Sequence, residues 1–318
     1  MSTLSLKQMK RVVRKRISST ARRRLPRRSR VPWDAGIMLI ELAGRRPMLR
    51  RDTAATPSDG NHLVVDARNL IFASPLDVAA IIALTRRADN RGRSVTLIMP
   101  TDINVASYLQ RMDVLRQLPP SAQVLGTIPA EVRSDCSEVL VEVSPLSPTT
   151  AQSLAARLGR LASARFAPAS AAAVFRSIGE LIDNATSHGG SRLGAFLAAQ
   201  AYTGATTGRP GFEFAVCDTG IGIREHLRRN PDYRKIPDAT SAIACALQPG
   251  VTGTGEQRGY GLSDLLRVTS DGGTGRLVLR SEDGIASVVL RRDQRRRAIT
   301  TATPAISGTW AWLRSQFP

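Results

Sequence analysis

The 318-residue chain is poor in cysteine and histidine and, over its first 33 residues, has no acid at all. Its three cysteines, Cys136, Cys217 and Cys245, are too few and too scattered for a disulfide framework or a tetrahedral zinc site. Cys217 also sits inside an apolar run, so a reducing cytoplasm is the expected setting. No stretch approaches the roughly 18 uncharged apolar residues a membrane span needs, which argues against a transmembrane segment. No apolar segment follows the N-terminal charges, so they do not read as a secretory signal.

What the chain has in excess is positive charge, and the charge is unevenly placed. The net charge is +19, and residues 1–33 hold twelve Lys or Arg. The other 285 residues carry 33 basic against 26 acidic side chains, only +7. Such a block repels itself and has little apolar surface to bury, so it is expected to be disordered alone. It would be drawn to nucleic acid, an anionic surface or an acidic protein, unless it is simply a solvated tail. A smaller cluster, Arg291, Arg292, Arg295, Arg296 and Arg297, follows the last expected strand. With 42% hydrophobic residues, the length predicts two domains.

After a polar break at residues 56–61, His62–Asp66 reads as a buried strand, and Ser74-Pro75 opens a helix over 76–90, proline being well placed at a first helical position. A strand over 95–99 and a helix over 102–110 continue the alternation of an α/β unit with short connections. The run "LVVDARNLIFASPLDVAAIIALTRRADNRGRSVTLIMP" resembles the STAS domains of anti-sigma-factor antagonists. Those domains carry a phosphorylatable serine at the strand-to-helix turn, typically as D-S-S-G. Here the turn is Ser74-Pro75-Leu76-Asp77, so the resemblance implies a docking module, with a phosphoacceptor at Ser74 as the alternative.

Further on, a strand over 139–143 and a helix over 149–163 lead to three motifs in sequence. In "FRSIGELIDNATSHGG", Ile178, Leu181, Ile182 and Ala185 form one apolar helical face, while Glu180, Asn184 and His188 recur every four residues and so share a stripe. In "FEFAVCDTGIGI", a strand over 212–217 ends at Asp218, and Gly220 and Gly222 turn the chain sharply and admit a close neighbour. An aspartate at such a strand end can accept a hydrogen bond from an exocyclic amine. In "GVTGTGEQRGYGLSDLL", five glycines run into a helix expected over 262–268, whose start offers N–H donors to phosphate oxygens. Arg258 stands where a guanidinium could meet a terminal phosphate. No G-K-[ST] follows, which excludes a Walker A loop, and the glycines do not follow the first strand of a βαβ unit, which excludes a Rossmann turn.

Taken singly, each motif also fits an amphipathic helix, an Asp-Gly turn and a surface loop. In this order they resemble the GHKL ATP-binding domain of gyrase-type topoisomerases, heat-shock chaperones, histidine kinases and mismatch-repair ATPases. The resemblance implies a mixed, largely antiparallel sheet with helices on one face, and ATP and Mg²⁺ as cofactors. It implies that Asn184 ligates Mg²⁺, that Glu180 orients or deprotonates the attacking group, and that Asp218 accepts from the adenine amine beside Gly220 and Gly222. Gly259, Gly261 and Leu262, with Arg258, would close the phosphate end of a lid over 224–258, and Ser287 would take an adenine-side position. With His62 and His226 as the only histidines besides His188, and no transducer domain, autophosphorylating kinases and topoisomerases fit poorly.

The expected organisation is an α/β chain of two domains. It comprises a basic tail and lead-in (1–55), a STAS-like domain (56–125), a linker (126–148), a GHKL domain (149–292) and a C-terminal tail (293–318). The pairing is similar to an anti-sigma-factor kinase fused to its antagonist. It implies a regulatory protein that hydrolyses ATP or phosphorylates a protein Ser/Thr, with a regulatory protein partner and with homodimerisation left open. The alternative is a non-catalytic, ATP-gated switch that binds protein or nucleic acid.

Overall fold

The computed structural model describes residues 36–50, 60–130, 135–164, 171, 175, 178–179, 181–185, 193–204, 210–251, 274–290 and 296–316. The basic tail lies outside them.

Strands β1 (Ile37–Glu41), β3 (His62–Asp66), β5 (Ser94–Ile98) and β6 (Gln123–Leu125) form a parallel sheet in the order β1-β3-β5-β6. The short strands β2 (Gly44–Arg45) and β4 (Leu70–Phe72) pair beside it. Leu63, Val64 and Val65 of β3 are all buried, the continuous apolar run of a strand covered on both faces. β1 falls in the expected lead-in, so the sheet begins earlier than residue 56.

Helix α1 (Pro75–Asn90) starts at Ser74 in a full capping box with Asp77, and Pro75 occupies the first turn. Every residue from Pro75 to Ala83 is buried, and a helix apolar on all sides needs neighbours on all sides. It has them: α1 touches β3 and β5 on one side and, on the other, β8 (Ala195–Tyr202), β9 (Gly211–Asp218) and β13 (Thr309–Gln316). Ser74 is consequently fully buried, and its hydroxyl donates to Asp77 Oδ2 at 2.6 Å. As an accessible phosphoacceptor it is corrected by this burial, because a phosphate there has no room without opening the helix start.

Helices α2 (Ile103–Arg111) and α3 (Val114–Gln117) follow, and β7 (Leu140–Leu146) arises within the expected linker. With β10 (Thr274–Ser281), β11 (Gly284–Leu290) and β12 (Arg296–Ala302), it completes a seven-stranded antiparallel sheet ordered β12-β11-β10-β13-β9-β8-β7. Residues 293–318, expected to be a tail, thus supply two strands, and β13 sits centrally between β10 and β9. Alternation along "TWAWLRSQ" explains it: Trp310 and Trp312 face α1, while Ala311 and Leu313 face the opposite core.

That opposite core holds α4 (Pro148–Ser163), Ala171, Ile178, Leu181, Ile182 and Ala185, and α6 (Ala239–Ala246) against Phe212, Phe214 and Val216 of β9. The molecule is therefore a mixed α/β structure in which the seven-stranded sheet carries helices on one face and the parallel-sheet module on the other. The apolar cluster around α1 draws on both expected domains, with Leu63, Val78 and Leu97 from one and Ala198, Ala215 and Val278 from the other, and on Trp312 from the expected tail. Polar ties join them too: Arg46 Nη2 meets Glu213 Oε1 at 3.0 Å, and Tyr108 Oη donates to Gln200 Oε1 at 2.8 Å. No helix among the described residues is long and apolar enough to cross a membrane.

Candidate functional site

The site grows from the end of β9. Side chains alternate along a strand, so Asp218 shares a face with Phe212, Phe214 and Val216, the face that carries the helices. The Asp218 Oδ1 accepts from the Gly220 N–H at 2.8 Å, and the Thr309 backbone N–H also donates to the carboxylate. Burial nonetheless pushes the carboxyl up to about 6, and among the described residues no basic side chain offsets that burial. It is an acidic group held dry by backbone dipoles alone, with lone pairs left over for a further donor.

Three neighbours define the surroundings. Ser281, at the end of β10, is buried; its Oγ accepts from the Ile223 N–H at 2.9 Å and donates to the Gly308 carbonyl at 3.1 Å. Thr309 pairs with Ser281 across the ladder, their hydroxyl oxygens 3.4 Å apart. Gly222, with φ of +84°, caps α5 (Ile223–Leu227), and a Cβ there would lie 3.0 Å from Ser281 Oγ and 3.1 Å from Glu282 Cγ. The expected close approach to Gly222 is thus made by β10 itself. Reading 293–318 as a tail hides Gly308 and Thr309, and with them the pairing that brings Ser281 to the site; the alternation of β13 is the available signal.

Asn184 is exposed on the helical residues 181–185, and its neighbours Ile178, Leu181, Ile182 and Ala185 pack on the same sheet face that presents Asp218. Ser287 is not brought to them. It pairs with Val278 on β10, which pairs with Trp312 and in turn Ala215, so it lies on the α1-facing side of the sheet with two strands between β11 and β9. One residue of register decides the face, and the adenine-side assignment of Ser287 is corrected accordingly. Glu180, His188, Arg258, Gly259, Gly261 and Leu262 lie outside the described residues.

The expected lid over 224–258 is in part a packed element. Ala239, Ala242, Ile243 and Leu247 are buried, and a Cβ on Gly284 would lie 2.9 Å from both Ala239 C and Ile243 Cδ1. Arg224 is paired with Glu282 at 3.1 Å and Arg228 donates to the Ile236 carbonyl at 3.1 Å, so these two guanidiniums are engaged within the fold. A link from the other module also reaches the loop: Arg87 Nη1, near the C-terminus of α1, donates to the Thr219 carbonyl at 3.3 Å. Burial, with Arg91 and Arg93 nearby, lowers the Arg87 guanidinium to about 10.

Cys217 is buried and its thiol is pushed well up by burial, which leaves it inert as a nucleophile. Among the described residues no cluster of three or more His, Cys, Asp or Glu could hold a metal ion. Comparison of the chain with protein-family models gives no match, and comparison with curated proteins gives none.

Proposed function

We propose that the chain is an ATP- and Mg²⁺-binding regulatory protein of the GHKL class, which hydrolyses ATP or phosphorylates a protein serine or threonine. The observation that carries this reading is Asp218: a dry carboxylate at a strand end, fixed by Gly220 and Thr309, with spare acceptor capacity and, among the described residues, no guanidinium to saturate it. Those are the properties a purine amine needs in its acceptor, and perturbed carboxyls of this kind cluster at functional sites.

Asn184 would hold Mg²⁺, and the small protein donor set suits an ion that takes most of its ligands from phosphates and water. Bound there, the metal supplies neutralisation of phosphate charge. Asp218 orients the base; Ser281 and Thr309 keep the strand ends around it in place. Glu180 takes the role of general base by the motif resemblance. The STAS-like half serves as a scaffold, and since α1 is covered by the chain's own second sheet, a partner would dock on its other surfaces.

Incubation with γ-labelled ATP and Mg²⁺ tests the enzyme reading. Label is expected as free phosphate or on protein, and Glu180→Ala is expected to abolish it while retaining ATP affinity. Label in neither form would leave an ATP-gated switch and reject catalysis.

A further inference from the structure

On the α1-facing side of the large sheet, well away from Asp218, two guanidiniums meet one carboxylate and a third stands beside them. Arg276, Arg314 and Glu213 are directly paired on β10, β13 and β9, so they form a single polar row across this face. Glu213 is fully buried and bridges two of the cations, Arg46 Nη2 at 3.0 Å and Arg314 Nε at 3.1 Å, while Tyr202 Oη donates to its Oε2 at 3.0 Å. Arg46 and Arg314 keep only about a fifth of their side chains exposed, at 22% and 21%.

Arg46 is held in the left-handed region, φ 54° and ψ 56°, where few residues other than glycine sit, and its guanidinium lies over both Phe72 and Trp312. Arg276 approaches the same Trp312 ring, 5.9 Å from its centroid, and its Nε donates to Ser287 Oγ at 3.4 Å. Ser287 therefore belongs to this cluster.

Among the described residues the charges of this cluster do not balance: it holds three guanidiniums and one carboxylate, an excess of two. Burial lowers the Arg276 guanidinium from its ordinary value, and Arg46 and Arg314 add to this as like charges. Such an arrangement is stable only if the charges are solvated or if an anion completes it. We propose that Arg276, with Arg46 and Arg314 behind it, forms a binding site for a phosphate-type dianion. The excess of two selects the class: a phosphate monoester carries about −1.5 to −2 at neutral pH and presents three acceptor oxygens to guanidinium forks, whereas a monocarboxylate neutralises only half of the excess. Arg276 is the exposed member and the point of entry. The site is independent of the nucleotide reading, because it lies on the opposite face of the sheet.

Calorimetric titration of the full chain with inorganic phosphate, at ionic strength held constant with chloride, tests this. Wild type is expected to bind saturably, Arg276→Gln to bind roughly tenfold more weakly, and acetate to bind wild type at least about tenfold more weakly than phosphate does. Phosphate held by the basic tail or near Asp218 is common to both proteins and cancels in their difference. Arg276→Lys, which keeps the charge but not the fork, is expected to fall between them and serves if the glutamine variant does not fold. Phosphoserine matching inorganic phosphate would point to a modified protein as the source, and weaker phosphoserine binding to a free anion; each retains the dianion site. Absence of saturable binding, equal affinity in Arg276→Gln, or acetate equal to phosphate would overturn it.

Discussion

Gly308→Ala is expected to cost about 3 kcal/mol or more of unfolding free energy and to weaken nucleotide binding in the protein that remains folded. Two terms add. Gly308 has φ of +75°, where an L-residue with a Cβ is penalised by about 1 kcal/mol. In addition, the new methyl would fall on the Asp218 carbonyl oxygen and within 2.5 Å of Asp218 Oδ1, and the carbonyl, being backbone of a central strand, cannot give way cheaply. Gly92 provides the control, since it has φ of +70° and nothing within 4 Å of an added Cβ. Gly92→Ala should show only the backbone penalty, about 1 kcal/mol. Denaturant unfolding of the two variants checks the difference; equal losses would mean that Gly308 is not pressed against Asp218.

Asp77 is the second position of large effect. Its carboxylate accepts from the Met48 N–H at 2.9 Å, the Ser74 N–H at 2.7 Å and the Ser74 hydroxyl at 2.6 Å, all buried, and so ties residues 46–50 to the start of α1. Asp77→Ala strands two buried backbone donors, at about 1–3 kcal/mol each, and an expected total loss of about 3–5 kcal/mol follows. Asp77→Asn, whose single amide oxygen can still accept from one side of this set, should lose less.

The pH dependence has a definite sign. Burial raises the Asp77 carboxyl from 3.8 to about 6, so the folded chain holds this proton better than the unfolded chain does. That contribution is complete below about 3.8 and is lost as pH rises through about 6, a change of about 3 kcal/mol. The stability of wild type minus that of Asp77→Asn should therefore fall by most of that amount between pH 4 and pH 7. A difference that stays flat across the window would show that the folded carboxyl titrates normally.

Much of the first module was legible because its signals are local. The buried run of β3 falls at His62–Asp66 as expected, and Ser74-Pro75 with Asp77 announces the start of α1. What sequence alone hid is what covers α1. A helix apolar on every side implies two packing partners, yet nothing local says that the second is β8, β9 and β13 of the same chain.

The site was legible in part. Asp218 stands at a strand end before two glycines, as the motif spacing predicts, because turn chemistry is written in adjacent residues. Its neighbours Ser281, Gly308 and Thr309 come from residues 63 to 91 positions later, brought in by strand pairing that no local pattern specifies. Ser287 was misplaced for the same reason, since its face depends on register through two intervening strands. The expected C-terminal tail failed as a reading because eight residues of alternation at Thr309–Gln316 were overshadowed by the preceding run of arginines.

The central claim is that Asp218, ionised, receives an adenine amine. The most direct measurement is the equilibrium affinity for Mg²⁺-ATP between pH 5 and pH 8, for wild type and for Asp218→Asn. Because the carboxyl is raised to about 6, wild-type affinity should be full at pH 8 and fall as pH drops through about 6, as protonation removes an acceptor. Asp218→Asn should bind at least about tenfold more weakly at pH 8 and show no inflection near 6. Equal affinity in the two proteins, or a wild-type protein that binds no ATP at any pH, would contradict the account.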